Sequence, residues 1–283
     1  MQLRILHRTA YTYEEPVKYT AQKLRLTPRR EGSQRTLSWT IQAPGRRTEQ
    51  LDAHGNVTHL ITFEEPHREM QIVVAGTIEV SDADELLPHD GKLSPLAYLA
   101  TTPLTAPNEE MIALAKENLE GGGALRDRLY NLAAKIQAKV QYKRGATSVD
   151  DSAATAFTGG QGVCQDQSHV FITCCRAAGI PARYVSGYLS SSRNGQAGES
   201  SGHACSAGNG GDTASHAWVD AWIEESQAWI GIDITHLGPA GPGHCRLAVG
   251  RDYLDAAPVR GVRRGGGKEV MDVSVTATSF VGQ

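Results

Sequence analysis

The first 82 residues of this chain alternate apolar and polar, and helical spacing appears only after them, which limits what the chain can fold into. The alternation runs through Leu3-Arg4-Ile5-Leu6-His7, Thr9 to Tyr13 and Leu24-Arg25-Leu26. Leu37 to Ile41 and Gln71 to Val80 are further candidate strands, and Asp52-Ala53-His54-Gly55-Asn56 reads as a hairpin turn before His59-Leu60-Ile61-Thr62-Phe63. A period of two places every second side chain on one face, the mark of a half-buried strand. Glu14-Glu15-Pro16 is expected to break the first run, because proline cannot donate to a sheet ladder. Short strands at near-regular spacing predict a small antiparallel β-sandwich over residues 1–82.

Residues 83–110 are acidic and proline-bearing and read as a linker carrying a helical turn or two. From residue 111 the period becomes helical. Met111 to Leu119 ends at Gly121-Gly122-Gly123, and Leu125, Leu129, Leu132, Ala133, Ile136 and Val140 define a second helix. Cys164 to Ala178 is apolar on most sides, so it is expected to be buried, with Gly179 and Pro181 ending it. Ala182 to Leu189 predicts a strand, and His216 to Ile223 with Ala228 to Ile232 a hairpin. Ser190 to Ser215, rich in Gly and Ser, is expected to be a long flexible loop. Arg260 to Lys268 reads as a basic loop before a closing strand, Glu269 to Val275. The class is α+β, with a second domain over 111–283 that includes the C-terminal strand.

A chain of 283 residues can bury a real core without staples. A net charge of −3 gives no general attraction to nucleic acid or to an anionic membrane, so neither is expected as a partner. Met1 to Thr9 lacks the apolar run of a secretory signal, and no stretch reaches the roughly 20 apolar residues of a membrane helix. The expectation is a cytoplasmic protein. Five cysteines, an odd number, argue for reduced thiols rather than a disulfide framework.

Among those cysteines Cys164 stands apart, because Gly162-Val163-Cys164-Gln165-Asp166 places it where a glycine turn feeds a helix. The partial positive charge at a helix start favours the thiolate, which is the nucleophile. His216, in Ser215-His216-Ala217-Trp218, can serve as its base, and Asp233, on the other arm of the hairpin, can orient that base. The backbone N–H of Cys164 is a natural donor to a tetrahedral oxyanion; Gln161 and Tyr142 are the side-chain candidates.

Blander readings compete at each position. Cys174 and Cys175 lie inside the buried helix and read as inert core thiols. Trp218, Trp222 and Trp229 suit a core or a cleft wall. His203, Cys205, His216, His236, His244 and Cys245 include no close pair of the kind structural zinc sites use, so no metal is expected. Val185-Ser186-Gly187 lacks the first glycine of a Gly-x-Ser-x-Gly elbow, no glycine-rich phosphate loop with a following Lys-Ser or Lys-Thr is present, and no cofactor is expected.

With these residues placed, the chain resembles the bacterial transglutaminase-like superfamily, whose fold is related to papain-type cysteine proteases. The matching pieces are Gly162-Val163-Cys164-Gln165-Asp166, Gly179-Ile180-Pro181-Ala182-Arg183-Tyr184, His216-Ala217-Trp218-Val219 and Gly231-Ile232-Asp233. His7-Arg8-Thr9-Ala10-Tyr11, Leu24-Arg25-Leu26-Thr27-Pro28 and Asp52-Ala53-His54-Gly55-Asn56 resemble the β domain preceding that core in many bacterial members. The resemblance implies a helix packed on an antiparallel sheet, with Cys164 as nucleophile, His216 as base and Asp233 as its orienting partner. It implies a thiol acyl-transfer enzyme acting on a peptide or protein substrate, as transglutaminase or as amidase or peptidase. A non-catalytic binding module on the same fold is the alternative. The chain departs from the family in having Ile234 where proline usually follows the aspartate, and in a long loop carrying Cys205.

Overall fold

The structure is a computed structural model, described over residues 1–81, 86–89, 93–190 and 215–280. Five strands come first: β1 (Gln2–Leu24), β2 (Gln34–Gln42), β3 (Arg46–Leu51), β4 (Val57–Phe63) and β5 (His67–Val80). They run in the order β2-β5-β1-β4-β3, all antiparallel. β1 does not stop at Glu14-Glu15-Pro16. Its pairing with β5 instead shifts register between Thr12 and Val17, and a ladder irregularity is where a sheet tolerates proline. The alternation of β1 is realised as expected, since Leu3, Ile5, His7, Thr9, Tyr11 and Tyr13 are all buried.

A short strand β6 (Leu86–Pro88) leads into two 3₁₀ turns, Pro95–Leu99 and Pro103–Thr105. This stretch, read as a linker, is packed on the core: Tyr98 is buried with Trp222 and Trp229. Helices α1 (Glu109–Leu119) and α2 (Leu125–Lys139) follow. The Asn108 side chain caps α1 by accepting the Met111 N–H at 2.9 Å. A two-residue strand β7 (Gln141–Tyr142) pairs in parallel with β8 (Gln161–Gly162), flanking α3 (Ala153–Gly159). Then comes α4 (Cys164–Ala177), buried from Cys164 to Arg176. Its Arg176 is tolerable inside because the guanidinium donates to the carbonyls of Tyr98, Ala182 and Arg251 and to Thr105 Oγ1.

The core sheet is formed by β9 (Ala182–Leu189), β10 (Ser215–Ile223), β11 (Ala228–Asp233), β12 (Gly238–Pro239) and β13 (His244–Gly250). Its order is β12-β11-β10-β9-β13, with β6 beside β11. The expected hairpin is present, with Trp222 opposite Trp229 and Val219 opposite Ile232. α4 lies across β10 and β9, and α1, α2 and α3 pack on α4. The expected loop over residues 190–215 falls almost wholly outside the described residues, as do His203 and Cys205.

After α5 (Tyr253–Ala256) the chain returns to the first sheet. β14 (Val259–Gly265) and β15 (Glu269–Phe280) both pair with β1. The stretch from Arg260 expected to be a loop is therefore largely strand. It carries no apolar alternation because it is exposed almost throughout, and it is held by backbone pairing. The C-terminal strand, grouped by sequence with the core, completes the N-terminal sheet. The two sheets share one apolar cluster, in which Leu3, Ile5 and Val275 meet Tyr188, Cys245 and Leu247. Among the described residues no helix is long and apolar enough to cross a membrane.

Candidate active site

Local chemistry explains why Cys164 begins a helix. Asp166 accepts the Val163 N–H at 2.7 Å and the Thr147 hydroxyl at 2.7 Å, so its carboxylate caps the first turn. Burial pushes the Asp166 carboxyl up, against these hydrogen bonds. Gly162 is required by that cap, because a Cβ there would lie 2.7 Å from the Asp166 side chain. The glycine and aspartate around Cys164 are thus parts of one device that fixes it as the first residue of α4. There its N–H has no acceptor within the helix, and the helix dipole favours a thiolate.

Cys164 is fully buried and shares the central apolar cluster with Ala217, the neighbour of His216. It is disulfide-bonded in this structure. The expectation of reduced thiols holds for Cys174, Cys175 and Cys245, which are free and buried, and fails at Cys164. The difference has a cause: burial pushes the Cys174 thiol up to about 12 and raises those of Cys175 and Cys245 as well. A helix start does the opposite, and thiolate character is what makes a cysteine prone to oxidation.

His216, at the head of β10, and Asp233, at the end of β11, meet as the hairpin register requires. His216 Nε2 lies 2.9 Å from Asp233 Oδ2, with both side chains buried. A carboxylate only accepts, so Nε2 carries the proton. Nδ1 is buried and makes no hydrogen bond among the described residues, which leaves its lone pair for a proton transfer. Trp218 stacks beside the His216 ring at 6.1 Å and meets His244 edge-on at 5.0 Å, so it is a wall of the site. Trp222 and Trp229 pack instead with Tyr98.

Two further histidines converge on the same carboxylate oxygen. His236 Nδ1 donates to Asp233 Oδ2 at 2.8 Å and its backbone N–H to Oδ1 at 3.1 Å. His244 Nε2 donates to Oδ2 at 3.0 Å, while its Nδ1 accepts the Gly241 N–H at 3.1 Å. Burial alone would raise the Asp233 carboxyl, but the His216 charge and the three histidine hydrogen bonds outweigh it and hold it well below the usual range. Sequence reasoning grouped His236 and His244 only with possible metal ligands. The three-residue step from Asp233 to His236 was the available signal; His244 arrives on another strand and gave none. Atoms of His216, Asp233 and His236 do lie within 4.8 Å of one another. Their nitrogens, however, present N–H groups to the carboxylate, whereas a metal needs lone pairs.

The oxyanion candidates sit on the short ladder before the nucleophile, where Tyr142 pairs with Gly162 and Gln141 with Gln161. Gln161 is exposed and accepts from Lys143 Nζ at 3.0 Å. Tyr142 lines a pocket of about 350 Å³ together with Gln137, Gln141, Gln167, Thr235 and His236. Burial raises its phenol, with Arg144 opposing, so the hydroxyl remains a donor.

The sequence and the fold are similar to those of known proteins. Residues 112–234 match the family model of the transglutaminase-like superfamily, and residues 3–79 match that of the bacterial transglutaminase-like N-terminal region. Both parts of the chain are thus similar to transglutaminase-like families. A protein of Mycobacterium leprae, itself uncharacterised, is 28% identical over 98% of both chains. An uncharacterised protein of Mycobacterium tuberculosis is 29% identical over 99% of this chain and 93% of its own. The fold matches that of a candidate cysteine protease from Cytophaga hutchinsonii at a TM-score of 0.76, with 22% identity, over 100% of this chain and 92% of that one.

Proposed function

We propose that this protein is a thiol acyl-transfer enzyme acting on a peptide bond or a glutamine carboxamide through Cys164, His216 and Asp233. The observation that carries the reading is the buried His216–Asp233 pair, whose hydrogen bond fixes one imidazole nitrogen and leaves Nδ1 with its lone pair. An external thiol reductant, itself oxidised to a disulfide, first frees Cys164 as a thiol, whose proton passes to His216 Nδ1. The Cys164 thiolate adds to the substrate carbonyl, and the oxyanion is received by the Cys164 backbone N–H and, of the two side-chain candidates, by the Tyr142 hydroxyl. His216 Nδ1, having taken the Cys164 thiol proton, gives it to the leaving amine as the C–N bond breaks and a thioester remains; the same nitrogen then takes a proton from the second nucleophile. Asp233 holds the ring in this tautomer and stabilises its charged form.

With water as second nucleophile the product is an acid, and with an amine it is a new amide. Mass spectrometry of products from a glutamine peptide, with thiol reductant, with and without a primary amine, distinguishes deamidation, backbone cleavage and amine adducts. Cys164→Ala is expected to abolish whichever occurs, and full turnover by that variant would end the proposal.

A further inference from the structure

The role of the N-terminal domain is legible where it touches β13. That strand ends the core sheet, and an edge strand presents backbone N–H and C=O groups that need partners when buried. Among the described residues no strand supplies them, although the Arg29 backbone N–H reaches the Arg246 carbonyl at 3.0 Å. Two side-chain carboxamides from the N-terminal domain do so instead. Gln34 accepts the Arg246 N–H at 2.9 Å and donates to the Arg246 carbonyl at 2.8 Å. Asn56, fully buried, accepts the Val249 N–H at 2.8 Å and donates to the Val249 carbonyl at 2.8 Å. Each copies the two-bond contact of a neighbouring strand.

Both clamps are themselves held. Asn56 closes the Asp52–Asn56 turn, where Asp52 accepts the Asn56 N–H at 2.9 Å and its Nδ2 at 3.0 Å, and Gly55 at φ +74° permits the bend. The Gln34 amide also donates to the Arg29 carbonyl at 2.9 Å. A third contact is ionic, from Glu31 to the Arg246 guanidinium. The strand fixed this way begins at His244, whose Nε2–H is one of the three imidazole donors to Asp233, and whose tautomer is set by the Gly241 N–H.

We infer that the N-terminal domain positions the catalytic carboxylate: Gln34 and Asn56 fix β13, and His244 on that strand fixes Asp233. His244, Gln34 and Asn56 are positioning residues, since none is assigned a contact with substrate. The inference rests on the proposed thiol chemistry. It gives the Asp52-Ala53-His54-Gly55-Asn56 motif of the first domain a task at a centre in the second.

The test uses the full chain with reductant. His244→Phe removes the donor, His244→Gln can restore one, and Asn56→Ala releases the clamp. Expected is a fall in kcat of roughly tenfold or more for His244→Phe with KM little changed, because misplacement affects the reacting geometry. Partial recovery is expected for His244→Gln, and a smaller loss of the same kind for Asn56→Ala. In a Cys164→Ala background, ¹⁵N NMR of the His216 ring is expected to shift in His244→Phe and in Asn56→Ala, a readout independent of turnover. Should Asn56→Ala not fold, Asn56→Asp keeps the acceptor and loses the donor, and serves in its place. Wild-type kcat and an unmoved His216 signal in these variants would overturn the inference. Retained turnover in Cys164→Ala would instead overturn the reading beneath it, so the two failures are distinguishable.

Discussion

Two aspartates on neighbouring strands of the core sheet, Asp220 on β10 and Asp233 on β11, are both completely buried. Burial raises the carboxyl of each, and in each the surroundings reverse it and hold the carboxyl below its usual range. The surroundings differ in kind. Asp220 takes Arg183 at 2.8 Å and the Arg246 guanidinium, both planar delocalised cations. Arg183 in turn lies 4.3 Å from the Trp229 ring centroid, and Arg246 reaches Glu31 of the first domain. Asp233 takes three imidazole N–H donors, from the side-chain type that enzymes use most often to carry protons. One buried carboxylate is locked by permanent charge and the other is held by groups that can move protons. Chemistry is expected only at the second, and stability chiefly from the first.

The largest effect that would sharpen this contrast is at Asp233. Asp233→Asn keeps the shape and removes the charge that selects the His216 tautomer. A fall in kcat of about 10⁴-fold is expected, the size the corresponding change produces in a serine-protease triad. It is read by turnover of whichever amide substrate responds to Cys164→Ala. Asp220→Ala is expected to leave activity per folded molecule near wild type and to cost about 3–5 kcal/mol of stability, because it strands two buried guanidinium groups. Urea unfolding measures that cost. The contrast breaks if Asp220→Ala silences the folded enzyme, or if Asp233→Asn costs mainly stability.

How much of this was legible in the sequence follows from how far apart the partners lie. Cys164 at the head of α4 was readable because glycine, cysteine and aspartate act over five residues. The His216–Asp233 pair was readable because one hairpin register joins them. The Asp220 network was not, since Glu31 and Arg246 meet only after the whole fold forms. His244 was hidden for the same reason. The C-terminal strands misled because β14 is basic and exposed and so lacks an apolar period, and Pro16 suggested a break where the strand only changes register. Local signals set the elements; long-range backbone pairing decided which sheet received them.

Acid titration reports on buried histidines that have no carboxylate partner. His7 meets only the hydroxyls of Tyr188, at 2.7 Å, and Thr9, at 2.9 Å, and burial lowers it to about 4. His169 accepts the Tyr253 N–H at 3.0 Å, and burial, with Arg176, lowers it to about 3. The folded state binds fewer protons than the unfolded chain between those values and about 6.5, so stability rises with pH across that window and levels off above it. His7 alone contributes a slope worth about 3 kcal/mol across it. His7→Gln is expected to flatten the stability profile between about pH 4 and 6.5, measured by urea midpoints. The depressed aspartates act lower: their contribution is present above about pH 3.9 and lost as pH falls further through their folded values. An unchanged profile in His7→Gln would remove His7 from this account.

The smallest effect expected is at a charge pair outside the protein interior. Arg35 and Glu79 face each other across β2 and β5 at 2.9 Å, with side chains 72% and 41% exposed. Water and salt already solvate both groups, so the geometry of an ion pair adds little. Arg35→Ala is expected to cost about 1 kcal/mol or less, and that cost should shrink further in 0.5 M salt. Asp220→Ala should lose several times more and respond weakly to salt, because its guanidinium partners are shielded from ions. Equal costs at the two positions, or equal salt dependence, would mean that burial is not what separates them. The Asp220 network would then count as one more surface-strength pair and not as the structural counterpart of Asp233.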